Sequence, residues 1–255
     1  MPPRAHFCGL SDYDCFMVRS ILRHQIQLEP RIARRVADWI VEAVYVPMCA
    51  SCGRRGEWVC AECLATVSPI LNPGCSRCGV VDAHNCECAS LPTEIDRLRS
   101  VFPFRDWVRD AIHRLKYDGE RARAPMLANQ IARIADQLDD VDGIVPVPIH
   151  KRKLRDRGFN QTELLATHVS RSFGIPLVPA LERIVDRGSQ VGRSGEDRWL
   201  AVEGAFACAN SGMVRNRRLI ILDDVITTGA TISSCAVELA AAGAASVRAI
   251  SIARG

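Results

Sequence analysis

Downstream of residue 100 the apolar positions follow two alternating rhythms. Short unbroken apolar runs, such as Leu219-Ile220-Ile221-Leu222, alternate with longer stretches in which apolar residues recur at three- and four-residue spacing. The runs predict strands over 101–104, 143–147, 218–222 and 247–252. The spaced stretches predict helices over 107–116, with Val108, Ala111, Ile112 and Leu115 inward, and over 125–138, 162–173 and 231–242, the last ended by Gly243. Strands without polar alternation are buried on both faces, so the pattern predicts an α/β fold with a doubly wound parallel sheet. Such sheets bind ligands at the carboxyl ends of their strands. Upstream, Ile32, Val36, Ile40 and Val44 behind Pro30 predict an amphipathic helix over 31–44.

Between these regions hydrophobicity gives way to a cysteine repeat. Cys49-x2-Cys52-Gly53 returns 26 residues later as Cys75-x2-Cys78-Gly79. Cys60 and Cys86 keep the offset, whereas Cys63 is answered by Cys88, one residue early. Two sets of four thiols at this spacing suit two closed tetrahedral zinc sites of structural type. Sequential pairing, Cys49, Cys52, Cys60 and Cys63 against Cys75, Cys78, Cys86 and Cys88, is favoured because the repeat is intact within each half; interleaving stays open. His84 is an alternative ligand in the irregular second set, with an exposed loop histidine preferred. Cys8, Cys15, Cys208 and Cys235 fall outside the pattern. No export signal is evident and no apolar run approaches the ~18 residues of a membrane helix, so reduced thiols in a cytoplasmic protein are expected.

Length and charge refine this only slightly. At 255 residues the chain accommodates one large domain and a small annex. Boundaries are placed at 1–44 (extension), 45–92 (cysteine module) and 93–255 (α/β domain). Net charge is +4, which permits a nucleic-acid partner without demanding one, and aromatic residues make up only 5%, so stacking platforms are scarce. Of 33 basic residues only three are lysines: Lys116, Lys151 and Lys153.

Candidate chemistry concentrates in Asp223-Asp224-Val-Ile-Thr227-Thr228-Gly229-Ala230-Thr231, where a buried strand runs through two carboxylates and a small-residue loop into a helix. Thr227 to Thr231 offer amides, hydroxyls and the positive end of a helix dipole, the requirements of a phosphate cradle. Asp223 and Asp224 suit a ribose diol or a hydrated magnesium ion. Neither the dinucleotide-binding fingerprint nor the P-loop pattern is present. A cationic cluster, Lys151, Arg152, Lys153, Arg155 and Arg157, follows the 143–147 strand and suits an anionic ligand.

Residues 220–231 resemble the PRPP-binding motif of type I phosphoribosyltransferases. With the cysteine pairs, Leu115-Lys116-Tyr117, Val145-Pro-Val-Pro148 and Arg157-Gly158-Phe159-Asn160-Gln161, residues 45–255 resemble the ComF family, competence protein F-like proteins. The resemblance implies a phosphoribosyltransferase-like domain behind a double zinc ribbon. It implies PRPP as ligand with magnesium, Asp223 and Asp224 on the ribose hydroxyls, residues 227–231 on the 5'-phosphate, and the cationic cluster, as a loop after the Val145 strand, on pyrophosphate. Members that salvage 6-oxopurines carry an acid where this chain has Thr227, which weighs against that acceptor class, and the acceptor stays unassigned. Residues 187–195, with three glycines, resemble a mobile hood. Three functions stay open: a phosphoribosyltransferase, a single-stranded-DNA-binding accessory of DNA uptake working with a helicase, or a PRPP sensor without turnover.

Overall fold

The parallel sheet explains the unbroken apolar runs. The computed structural model describes residues 46–255 apart from 83, 85, 87, 89–90 and 186–203. The helix expected at 31–44 and the hood expected at 187–195 lie outside the described residues. Strands β1 (Arg97–Pro103), β2 (Gly143–Pro146), β5 (Arg218–Ile226) and β6 (Ser246–Arg254) form a sheet in the order β1-β6-β5-β2, parallel throughout. Two shorter strands, β3 (Leu181–Arg183) and β4 (Phe206–Cys208), make a separate antiparallel ribbon.

Side chains alternate across β5 and are buried on both sides, so the described residues pack into two cores, one on each face. Ile220 and Leu222, with Ile250 and Ile252 of β6, face helix α2 (Asp106–Tyr117), helix α3 (Ala124–Asn129) and helix α5 (Gln161–Phe173). Leu219 and Ile221, with Val247 and Ala249, face helix α6 (Ala230–Ala241) and the β3–β4 ribbon. The expected doubly wound α/β architecture is the observed one.

The cysteine segment is built into both cores. Its one-turn helix α1 (Ala61–Leu64) and Ala50, Val59 and Val67 join the first core, whereas Cys78, Leu91 and Ile95 join the second. Between them the chain passes along β1, the edge strand: Ile70 N–H donates to Val101 O (2.7 Å) and Leu98 N–H to Arg77 O (2.8 Å). The segment thus wraps the sheet edge and satisfies backbone groups that an uncovered strand would expose. Residues 47–255 accordingly form one compact unit.

The strongest tie is Arg123, which is fully buried. Its guanidinium donates to Trp58 O and Met48 O (both 2.8 Å), pairs with Glu120 and lies 4.7 Å from the centre of the Trp58 ring. Met48 and Trp58 flank Cys49 and Cys60, so one arginine of the α/β part holds both loops of the first cluster. Arg123→Met is expected to lower stability by about 3–5 kcal/mol, because Glu120 and two carbonyls lose a buried charged partner. Urea midpoints check this.

Several boundaries differ from the sequence expectation. β1 begins at Arg97 rather than 101, because Arg99 serves the cysteine segment by donating to Ser76 O and hides the strand behind a polar stretch. The helix expected over 125–138 is instead α3 followed by a 3-10 stretch, Gln130–Leu138, with a non-helical Ile134. At the end of this stretch Arg248 of β6 donates to the carbonyls of Gln137 and Asp139. β5 continues beyond Leu222 to Ile226, pairing Asp223 with Ser251 and Ile226 with Arg254 of β6, so the two acids lie within the strand and not beyond it.

Candidate functional site

At the carboxyl end of the sheet, β5 delivers Asp223 and Asp224 to opposite faces. Both are buried, at 8% and 3% exposure. Each carboxylate accepts the N–H of the following residue at 2.8 Å, Asp223 from Asp224 and Asp224 from Val225. Asp224 faces α2 and pairs with Lys116 Nζ at 2.7 Å. Asp223 lies toward α6, where its charge helps burial to hold the Cys235 thiol protonated. Burial, followed by the neighbouring Asp224 charge, pushes the Asp223 carboxyl up to about 7, against the pull of Lys116. Burial disfavours the Lys116 cation, yet Asp224 outweighs it and holds the amine above its ordinary value. Two adjacent buried acids served by one lysine are an electrostatic burden, and such burdens concentrate at functional sites.

Past Ile226 the chain turns through Thr227 and Thr228 into α6. Gly229 caps the helix in the left-handed region at φ 78°, where a side chain would be strained and its Cβ would also come within 3.1 Å of Leu91 Cδ2. Thr228 Oγ1 accepts from Ala230 N–H at 3.4 Å, and Gly229 O accepts from Ser233 N–H at 2.8 Å. The first turn of a helix this long presents backbone N–H groups without intrahelical acceptors to whatever lies above the loop. The strand, turn and helix start expected around 227–231 are present, and Leu91 from the cysteine segment lies close beside Gly229.

The cationic cluster takes a different form from the one expected. Instead of a loop, it folds into helix α4 (Lys151–Arg157), N-capped by His150 Nδ1 and ended by left-handed Gly158. Lys153 and Arg157 line a cavity of about 340 Å³ together with Lys116, Tyr117, Gly119, Asp156 and Phe159. Lys151, Arg152 and Arg155 are exposed on α4 and do not line it. Of the Arg-Gly-Phe-Asn-Gln segment, Arg157 and Phe159 line the cavity. Arg157 lies over Tyr117, Phe159 packs under Arg121, and Asn160 caps α5 while its amide reaches Val147 O at 3.2 Å.

Each cysteine set forms its own cluster, with ligand atoms within 4.8 Å of one another: Cys49, Cys52, Cys60 and Cys63, and separately Cys75, Cys78, Cys86 and Cys88. Sequential pairing holds, and His84 is outside both groups. Gly53 and Gly79 adopt left-handed conformations at matching places in the repeat, returning their N–H groups to Cys49 O and Cys75 O. The amides of Cys78 and Arg77 hold the Cys75 thiol down to about 6, while burial and the other thiols push Cys88 up to about 12. Four such groups ionise together only around a cation, so the donor set fits zinc.

Sequence reasoning gave Lys116 no role. The available signal was scarcity: two of the three lysines in a chain rich in arginine line the cavity.

A parallel sheet whose β5 carries an acid pair into a glycine-capped helix, together with two four-thiol clusters that fit zinc ribbons, makes this an α/β protein of the parallel-sheet class. No family model matches the chain. It is 30% identical to DNA utilization protein YhgH of Escherichia coli K12 over 76% of this chain and 89% of that protein. Competence protein F of Haemophilus influenzae is 29% identical over 82% and 85%, and competence protein ComFC of Bacillus subtilis 26% over 69% and 75%. The chain belongs to the ComF family, that of competence protein F, ComFC and YhgH. A glutamine PRPP amidotransferase from B. subtilis aligns with 57% of this chain and 27% of its own at 22% identity, with a TM-score of 0.33, too low to carry an argument. Among the described residues no helix is long and apolar enough to cross a membrane.

Proposed function

We propose that the site binds PRPP with magnesium and that the protein transfers its phosphoribosyl group to an acceptor. The observation carrying this reading is the adjacency of three parts: the 227–231 cradle, the buried Asp223–Asp224 pair, and a cationic cavity joined to that pair through Lys116. A pentose carrying a monophosphate and a diphosphate meets all three. The cradle would take the 5'-phosphate, the acids the ribose hydroxyls, and Lys116, Lys153 and Arg157 the diphosphate. Of the wider cluster, Lys151, Arg152 and Arg155 would act only at longer range. The two carboxylates fit magnesium as a partial ligand set, the remainder coming from phosphate and water. When bound, magnesium would neutralise the leaving diphosphate. The chain's residues then hold the sugar phosphate and stabilise charge developing between ring and leaving group.

Calorimetry with PRPP and magnesium tests the reading. Asp224→Asn is expected to weaken binding at least about tenfold, or about 1.4 kcal/mol. Absence of PRPP binding by the intact protein defeats it. Pyrophosphate release across a panel of amines and nucleobases separates a transferase from a sensor.

A second reading, single-stranded DNA binding in DNA uptake beside a helicase, draws on the exposed α4 cations and on Tyr117, which is 64% exposed. Affinity for an oligonucleotide that does not fall with salt counts against it.

A further inference from the structure

Lys116 is the one described residue that both pairs with the acid pair and lines the cationic cavity. Its backbone is fixed, because α2 is anchored by Trp107, Val108, Ala111, Ile112 and Leu115, all buried. Its side chain is 20% exposed against 4% for Asp224, so the lysine borders the cavity while its partner is closed off beneath it. A four-carbon stem on a fixed helix lets Nζ move by a few ångströms without disturbing packing. The neighbouring charges differ on the two sides: Asp223 and Asp224 below, Lys153, Arg157 and Asp156 around the cavity. An amine between two acids and a cavity with a cationic excess has a place to rest when the cavity is empty, and a second place once an anion fills it.

We propose that Lys116 is the resident counter-ion of the empty site, which occupies Asp224 in place of a divalent cation and transfers to the ligand's diphosphate on binding. This rests on the reading of the cavity as a diphosphate site. The consequence is ordered loading. A dication alone meets a carboxylate already neutralised and is refused, whereas a dication arriving with a diphosphate meets an acid that Lys116 has just released. Lys116 is then a positioning residue with opposite effects on two ligands, a signature that a merely structural lysine would not give.

The test uses the full chain and two probes, manganese(II) alone and inorganic pyrophosphate with magnesium, each followed by calorimetry; manganese(II) binding is also followed by electron paramagnetic resonance. Lys116→Met is expected to bind manganese(II) alone at least about tenfold tighter than the unaltered protein, and magnesium pyrophosphate at least about tenfold more weakly. Lys116→Arg, which keeps a cation against Asp224, is expected to leave the manganese affinity unchanged. If Lys116→Met fails to fold, Lys116→Gln carries the same comparison. Equal manganese affinity in a folded Lys116→Met or Lys116→Gln protein overturns the proposal. A manganese gain without any PRPP binding by the intact protein keeps the counter-ion role but refutes the diphosphate reading, so the two failures are distinguishable.

Discussion

Stripping metal from the folded protein is expected to unfold it, and Cys78→Ser to leave one zinc per chain in place of two. The size of the effect follows from where the clusters sit. Structural zinc sites contribute on the order of 10 kcal/mol or more of folding free energy in isolated fingers, comparable to the whole net stability of a domain. Here each cluster closes a different core: the first packs beside α1 and α3, and the second contributes the fully buried Cys78 beneath β1. Gly79 places its backbone so close to Leu98 O that an added Cβ would lie at 2.5 Å, so the second cluster cannot rearrange without pushing on the sheet. Losing either site therefore opens the edge strand and one face together. Elemental analysis with thermal melts measures this; two zincs retained in Cys78→Ser, or an unchanged melt after chelation, would contradict it. Loss at the second site also removes the Leu91 support beneath Gly229, so anion affinity should fall in parallel with metal content.

Asp223→Asn is expected to stabilise the protein at pH 8 by about 2–4 kcal/mol while damaging ligand binding. The folded acid is raised to about 7 by burial and by Asp224, against an ordinary value near 3.9 in the unfolded chain. The native state therefore binds this proton more tightly than the unfolded state, each tenfold difference in proton affinity being worth about 1.4 kcal/mol. The protonated acid's contribution is complete below about pH 4 and fades as pH rises through about 7; above that the fold holds a buried charge at a cost. Asparagine retains the oxygen that accepts from Asp224 N–H and never ionises. The gain should shrink as pH falls toward about 5.5, and comparing variant with parent at each pH cancels the metal sites' own pH dependence. Identical urea midpoints at both pH values would show that the pair carries no such burden. A residue whose removal stabilises the fold and impairs binding is one retained for function.

The two kinds of site were legible to different degrees. The cysteine clusters were readable because knuckle spacing is local: two thiols two residues apart, followed by glycine, can meet one ion without help from the rest of the chain. The strand, loop and helix around 218–231 were readable for the same reason, since β5, Gly229 and α6 follow one another directly. β5 runs on past Leu222, where the sequence pattern ends it, because its continuation depends on pairing with β6, which the local polarity of two aspartates conceals. The split of the cationic cluster was not legible either. Whether Lys153 or Lys151 faces the cavity depends on the turn of α4 relative to Tyr117 and Phe159, fixed by Arg121 and Arg157 stacking across the gap.

By itself, then, the sequence determined the parallel α/β architecture, the two four-thiol sets and the acid pair leading into a glycine-capped helix, because each is written in contiguous or regularly repeated residues. Only the tertiary structure decided that the cysteine segment wraps the β1 edge into both cores, that Arg123 fastens it there, and that Lys116, 108 positions before Asp224, is that acid's partner. Those relations join residues whose separation along the chain carries no spacing signal, and they exist only once the sheet has set α2 beside β5.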